Sequence, residues 1–180
     1  VSPHGYYHGT LRDLAERVHA TSVAKGFDPP SWDNFLAKVA LVYTEVDELV
    51  EAMLLSINLD DTEAELADVA IRLMSMLHCL SAEFGGWSDG RIVDEVRPMP
   101  RFFDPHAVVR PLREHLRGAI KKFRKGERRD AVIHLELALL ETFRIHRRLD
   151  ADFDLVTAIV VKNNFNQERP FRHGNQESVG

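Results

Sequence analysis

Thr62-Glu63-Ala64-Glu65-Leu66-Ala67-Asp68-Val69-Ala70-Ile71-Arg72-Leu73-Met74-Ser75-Met76-Leu77-His78 decides the fold class. From Leu66 onward it is apolar except for Asp68, Arg72, Ser75 and His78, which continue Glu65 at intervals of three and four residues. That spacing predicts a helix with one narrow polar stripe. A helix that is apolar on nearly every other side belongs in a core. A carboxylate buried there without a partner is very costly, so something must neutralise the stripe. Thr62-Glu63-Ala64-Glu65 has the pattern of a capping box and predicts the start of this helix. Its end is expected near Phe84, before Gly85-Gly86.

The sequence on either side also reads as helical. Leu11, Leu14, Ala15, Val18 and Ala24 predict an amphipathic helix from Thr10 to about Lys25, with Gly26 as its stop. After the breaker Asp28-Pro29-Pro30, Ser31 is expected to cap a second helix running to Asn58 or Leu59. Leu59 to Thr62 then form a short turn that sets the second and third helices antiparallel. Residues 85–111 carry too many glycines and prolines for a helix and read as a long loop. Two further helices are expected near 111–125 and 128–149, parted around Gly126, and Asp154 caps a last one ending near Gln167. Strand alternation and internal repeats are missing. The expected class is all-α, with a core like a four-helix bundle.

Length and composition fit one globular domain over 1–180. The 180 residues are 44% hydrophobic and 28% charged, which needs neither disulfides nor a structural metal. One cysteine, Cys79, excludes a disulfide scaffold and any multi-cysteine metal site. No apolar run reaches the ~18–20 residues of a membrane span, so no membrane partner is expected. Val1 to Tyr6 lack the pattern of a secretion signal, and a cytoplasmic location is the expectation. Charge is uneven. Residues 1–109 hold 8 Lys/Arg against 18 Asp/Glu, and residues 110–149 hold 12 against 5. Cations are to be sought in the first part and anions near the second.

The chemistry centres on two acidic pairs. Glu45 and Glu48 share a face of the second helix, whereas Asp47 lies about 200° round from Glu45. Glu65 and Asp68 share a face of the third. Each pair alone has an ordinary reading as a solvated face, and Glu65 has a second one as a capping residue. Antiparallel packing would bring all four carboxylates together, where they repel one another unless a divalent cation lies between them. An all-oxygen donor set favours magnesium, with manganese as its substitute.

Glu45-x-x-Glu48, sixteen intervening residues, then Glu65-x-x-Asp68 resembles the signature of the MazG-like all-α nucleoside triphosphate pyrophosphohydrolases. Lys162-Asn163-Asn164-Phe165-Asn166-Gln167-Glu168-Arg169-Pro170-Phe171-Arg172-His173-Gly174 is similar to the ending K-x-x-x-N-x-x-R-P-[YF]-x-H-G of that group, which includes many bacteriophage members. The likeness covers roughly 10–84 and 150–174. Residues 85–149 stand as an insertion, and Ser75 stands where many members carry Asp or Asn. The resemblance implies hydrolysis of (d)NTP to (d)NMP and diphosphate with Mg2+, in control of the nucleotide pool. By analogy it points to a purine, dGTP, as substrate. It implies Glu45, Glu48, Glu65 and Asp68 as metal ligands, with Glu48 orienting or deprotonating the attacking water. It also implies a homodimer or homotetramer, in the host cytoplasm if the chain is phage-encoded.

The rest of a site is read more loosely. Lys162, Asn166 and Arg169 fall on one face of the last helix and suit phosphate, as does Arg172; an ordinary basic helix end has the same look. Lys38, two turns before Glu45, either reaches phosphate or lies along the surface. Trp32 and Phe35 stack on a base or pack into the core. His78 reads as a core histidine. Arg110, Arg113, Arg117, Lys121 and Arg124 recur at helical spacing, as a solvated face before a nucleic-acid one; no nucleic-acid partner is expected. The rival to an enzyme is a helical interaction module using this basic segment to hold nucleic acid or a partner. Walker A, G-x-G-x-x-G and H-E-x-x-H patterns do not occur, and Asp150-x-Asp152-x-Asp154 lacks the Gly and Glu of an EF-hand.

Overall fold

A computed structural model describes residues 9–55, 59–88, 103–149 and 154–170. These residues form six α-helices and one short 3-10 turn, with no strand among them. The chain is all-α, as its periodicities require.

Helix α1, Leu11–Ala24, opens on a capping box in which Thr10 and Asp13 exchange side-chain and backbone hydrogen bonds. It closes on Gly26, whose φ of 84° suits a residue without a Cβ. There Gly26 N–H donates to Val23 and Phe27 N–H to Ser22. Helix α2 is Phe35–Leu55. It begins three residues later than a cap at Ser31 would set it. Ser31 and Asn34 do exchange side-chain-to-backbone bonds, but around a turn that precedes the helix.

Helix α3, Leu59–Leu80, differs from expectation at both ends. It starts before Thr62, so the expected capping box is not formed. Thr62 is buried within the helix, and Asp60 and Asp61 supply the acidic first turn that the helix dipole favours. Glu65 is thereby free for other work. At the far end Leu80 is followed by the 3-10 turn Ala82–Phe84 and by Gly85 at φ 83°.

Helix α4, Pro105–Arg124, claims the end of the segment read as loop. Asp104 caps it, accepting from His106 N–H, and Pro105 takes the first helical position, where no N–H is needed. Pro111 lies inside the helix and leaves the Ala107 carbonyl without its helical donor. Ala107 is exposed, so solvent can serve that carbonyl. Helix α5 is Arg128–Arg148, and α6, Leu155–Glu168, is capped by Asp154 through Thr157 N–H at 2.7 Å.

Helix α3 is the axis of the molecule, packing against α1, α2, α5 and α6. Leu66, Ala67, Val69, Ala70, Leu73, Met74 and Leu77 are wholly buried on it. Helices α4 and α5 pair with each other, and they join the same core through Leu112, Leu116, Leu135 and Leu139. Among the described residues, no helix is long and apolar enough to cross a membrane.

Candidate metal centre

The apolar faces of α2 and α3 turn inward and leave their acidic stripes meeting at one edge of the contact. Glu45 on α2 lies against Glu65 and Asp68 on α3. These three offer carboxylate oxygens all within 4.8 Å of one another. Glu45 is 9% exposed, so this is no freely solvated acidic face. Glu48, one turn along α2, is exposed and stands at the rim of the same cavity.

Two cations of the chain itself enter the cluster. Arg72 on α3 donates from Nε to Glu45 Oε1 at 3.0 Å, and its Nη2 lies at the same distance. Lys162 on α6 places Nζ 2.6 Å from Asp68 Oδ2. Glu65 has no such partner. Its Oε2 is buried and accepts no hydrogen bond. Burial, then the negative charge of Asp68, push its pKa from 4.5 up to about 7. Burial also raises Glu45, an effect that Arg72 opposes and Asp68 reinforces. An orphaned buried carboxylate oxygen within an all-oxygen donor set is chemistry that fits a hard divalent ion. Glu45, Glu65 and Asp68 are the residues that could hold it.

The cluster forms one wall of a cavity of about 360 Å3. Most of the remaining lining comes from α6 and α1. Helix α6 and its C-cap supply Lys162, Asn163, Asn166 and Arg169, and α1 and its C-cap supply Thr21, Ser22 and Lys25. The α6 end is tied to α1 twice: Lys25 Nζ donates to the Arg169 carbonyl at 2.6 Å, and Gln167 Nε2 to Thr21 Oγ1 at 3.2 Å. Arg169 also lays its guanidinium over the Phe165 ring, 4.7 Å from the centroid. The cluster thus accepts cations, and α6 and α1 offer donors and positive charge to an anion.

Of the residues singled out from sequence, Lys162, Asn166 and Arg169 line this cavity with the four carboxylates. Lys38 does not. It lines a smaller adjoining pocket with His19, Arg72 and Ser75, and donates to the Asp28 carbonyl. Burial there lowers its pKa. Ser75 also faces that pocket, where its hydroxyl and His19 Nδ1 share a 3.0 Å hydrogen bond. His78 stacks on His19 at 5.0 Å. Trp32 stands apart from both pockets: it stacks on Phe35 at 5.5 Å and on Phe123 at 6.0 Å, under the guanidinium of Arg128. Arg172 lies outside the described residues.

Sequence reasoning did not single out five polar lining residues, Thr21, Ser22, Lys25, Arg72 and Asn163. Arg72 sat in the polar stripe of α3, and that spacing was signal enough. Asn163, 2% exposed on α6, was legible as a polar residue in an apolar register. Thr21 and Lys25 gave no sign, because only the packing of α1 against α6 brings them in. The family models, the curated proteins and the solved structures contain no match to this chain.

Proposed function

We propose that the chain is a magnesium-dependent nucleoside triphosphate pyrophosphohydrolase of the MazG-like kind, converting (d)NTP and water to (d)NMP and diphosphate. One observation carries the reading: Glu45, Glu65 and Asp68 converge in a cavity that Lys162, Asn166 and Arg169 also line. A polyanion approaches such an acidic wall only in company with a cation. Magnesium, with manganese as substitute, would supply that charge at Glu45, Glu65 and Asp68 and would polarise the α-phosphoryl group.

The residues then divide the work. Glu45, Glu65 and Asp68 hold the metal. Lys162, Asn166 and Arg169 grip the phosphates from α6, and Lys25 adds positive charge at the same end. Glu48, exposed at the rim, orients the attacking water and takes its proton. Water attacks the α-phosphorus, the bond to the α–β bridging oxygen breaks, and diphosphate leaves carrying that oxygen. Positioning and charge neutralisation account for most of the rate in such a transfer. Exposed Leu36, Leu41, Leu54 and Leu55 on α2 support assembly as a homodimer or homotetramer.

The test is a panel of each (d)NTP with Mg2+, products resolved as monophosphate plus diphosphate or as diphosphate nucleotide plus phosphate. The expected product is diphosphate, abolished by chelator, with dGTP among the best substrates. The rival reading rests on Arg110, Arg117, Lys121 and Arg124, all exposed on α4. It expects salt-dependent polyanion binding and no turnover.

A further inference from the structure

We propose that Lys162 is an internal counter-ion that metal must displace, so that filling the acidic cluster releases the lysine to the phosphates. This rests on the reading of the site as a metal centre. Lys162 Nζ lies 2.6 Å from Asp68 Oδ2, and Asp68 is one of the three residues whose oxygens converge. The ammonium therefore occupies one of the donors that the ion requires. Lys162 also lines the cavity beside Asn163, Asn166 and Arg169, so its long stem can turn the charge from the carboxylate wall toward the anion wall.

The two cations at the cluster are not equivalent. Arg72 comes from α3 itself and pairs with Glu45 on α2. Lys162 is the one carried on the anion-binding helix. A charge-assisted contact of this kind must be given up before Asp68 can serve a metal, and so it opposes metal binding. Phosphate reverses the balance, because an anion that takes Lys162 frees Asp68. By linkage, metal and phosphate then each strengthen the binding of the other. The lysine makes the empty site neutral enough to fold and makes the loaded site selective for a metal–phosphate pair.

The experiment measures Mn2+ binding by calorimetry to the full chain and to Lys162→Met, first alone and then with inorganic pyrophosphate. The expected result is Mn2+ affinity raised about tenfold in the variant without pyrophosphate, as removal of a charge-assisted competitor implies. Pyrophosphate should tighten Mn2+ binding to the unmodified protein and do so much less in the variant. The metal-free variant should also melt at a lower temperature, with the difference shrinking once Mn2+ is present. Lys162→Gln, which removes the charge but keeps a polar head, carries the same test if the methionine variant does not fold. Equal or weaker Mn2+ binding in the variants overturns the exchange while leaving the metal centre standing. Absence of Mn2+ binding in every protein overturns both.

Discussion

Arg72 reaches from α3 to Glu45 on α2 with Nε and Nη2 both 3.0 Å from Oε1. The pair closes the hairpin beside the acidic cluster and offsets the burial of Glu45, whose side chain is 12% exposed. Arg72 itself is 36% exposed, so the pair is weaker than one sealed in a core. Arg72→Met should therefore destabilise the metal-free protein by about 2 kcal/mol, below the ~3–5 kcal/mol of a fully buried pair broken on one side. Magnesium bound as proposed would supply a replacement charge, so urea unfolding with Mg2+ should show less than half of that loss. An equal loss with and without the ion would make Arg72 purely structural.

Glu65 gives the metal-free protein a pH dependence with a definite sign. Its pKa is 4.5 ordinarily and about 7 in the fold. The fold thus holds that proton more tightly than the unfolded chain does, and it is favoured at acid pH. The advantage fades as pH rises from about 4.5 through 7. Glu65→Gln removes the charge and should raise stability at pH 8 in chelator by about 1–2 kcal/mol, a figure discounted because the site opens to solvent. The variant should also flatten the fall in melting temperature between pH 5 and pH 8. A variant that is less stable at pH 8 would mean that the carboxylate is held by a favourable partner.

Asp68 and Glu48 separate chemistry from structure. Asp68→Asn loses the attraction of Lys162 but also the repulsion of Glu65, and these offset one another. Glu48 is exposed, so Glu48→Gln should leave stability within about 0.5 kcal/mol. Both should lower kcat/KM for the best (d)NTP by about a hundredfold or more, which is ~2.7 kcal/mol of transition-state stabilisation. Thermal melts run beside the kinetics decide the matter. A Glu48→Gln protein that melts early and turns over normally would contradict the role given to that carboxylate.

The acidic cluster was legible because two helical periodicities and one short connection determine it. Residues three apart share a face, and a hairpin places Glu45 about as far before the turn as Asp68 lies after it. The start of α3 was not legible. Thr62-Glu63-Ala64-Glu65 satisfies the local rule for a cap, but burial of Thr62 and the acids at Asp60 and Asp61 favour an earlier start. Local chemistry there yields to packing. The start of α4 was written plainly as Asp104-Pro105, a cap followed by a proline in the first turn. Counting prolines over the whole segment hid it, since Pro111 costs a helix little where its orphaned carbonyl is exposed. Thr21 and Lys25 were beyond reach, because periodicity says which face of a helix is polar but not which helix will lie opposite.

Trp32 has two readings from sequence, a platform for a base or a member of the core, and its contacts match the second. At the entry to α2 it had the look of a platform for a base. Its indole instead stacks on Phe35 and Phe123, joining α2 to α4, with Arg128 of α5 above it. Phe35 is wholly buried and itself stacks on Phe123 at 4.5 Å, so the three rings form one continuous packing unit. Offset aromatic pairs of this kind add to the area they bury. Trp32→Ala should therefore destabilise by about 2–3 kcal/mol, less than the full loss of a buried aromatic, since the residue is only partly buried. The KM for any nucleotide should change by less than about twofold, because removal of a group that does not touch substrate leaves binding alone. Urea unfolding and steady-state kinetics on the same preparation check both. A KM raised about tenfold, with stability unchanged, would move the nucleobase to this end of α2 and require a cavity wider than the one between α3 and α6.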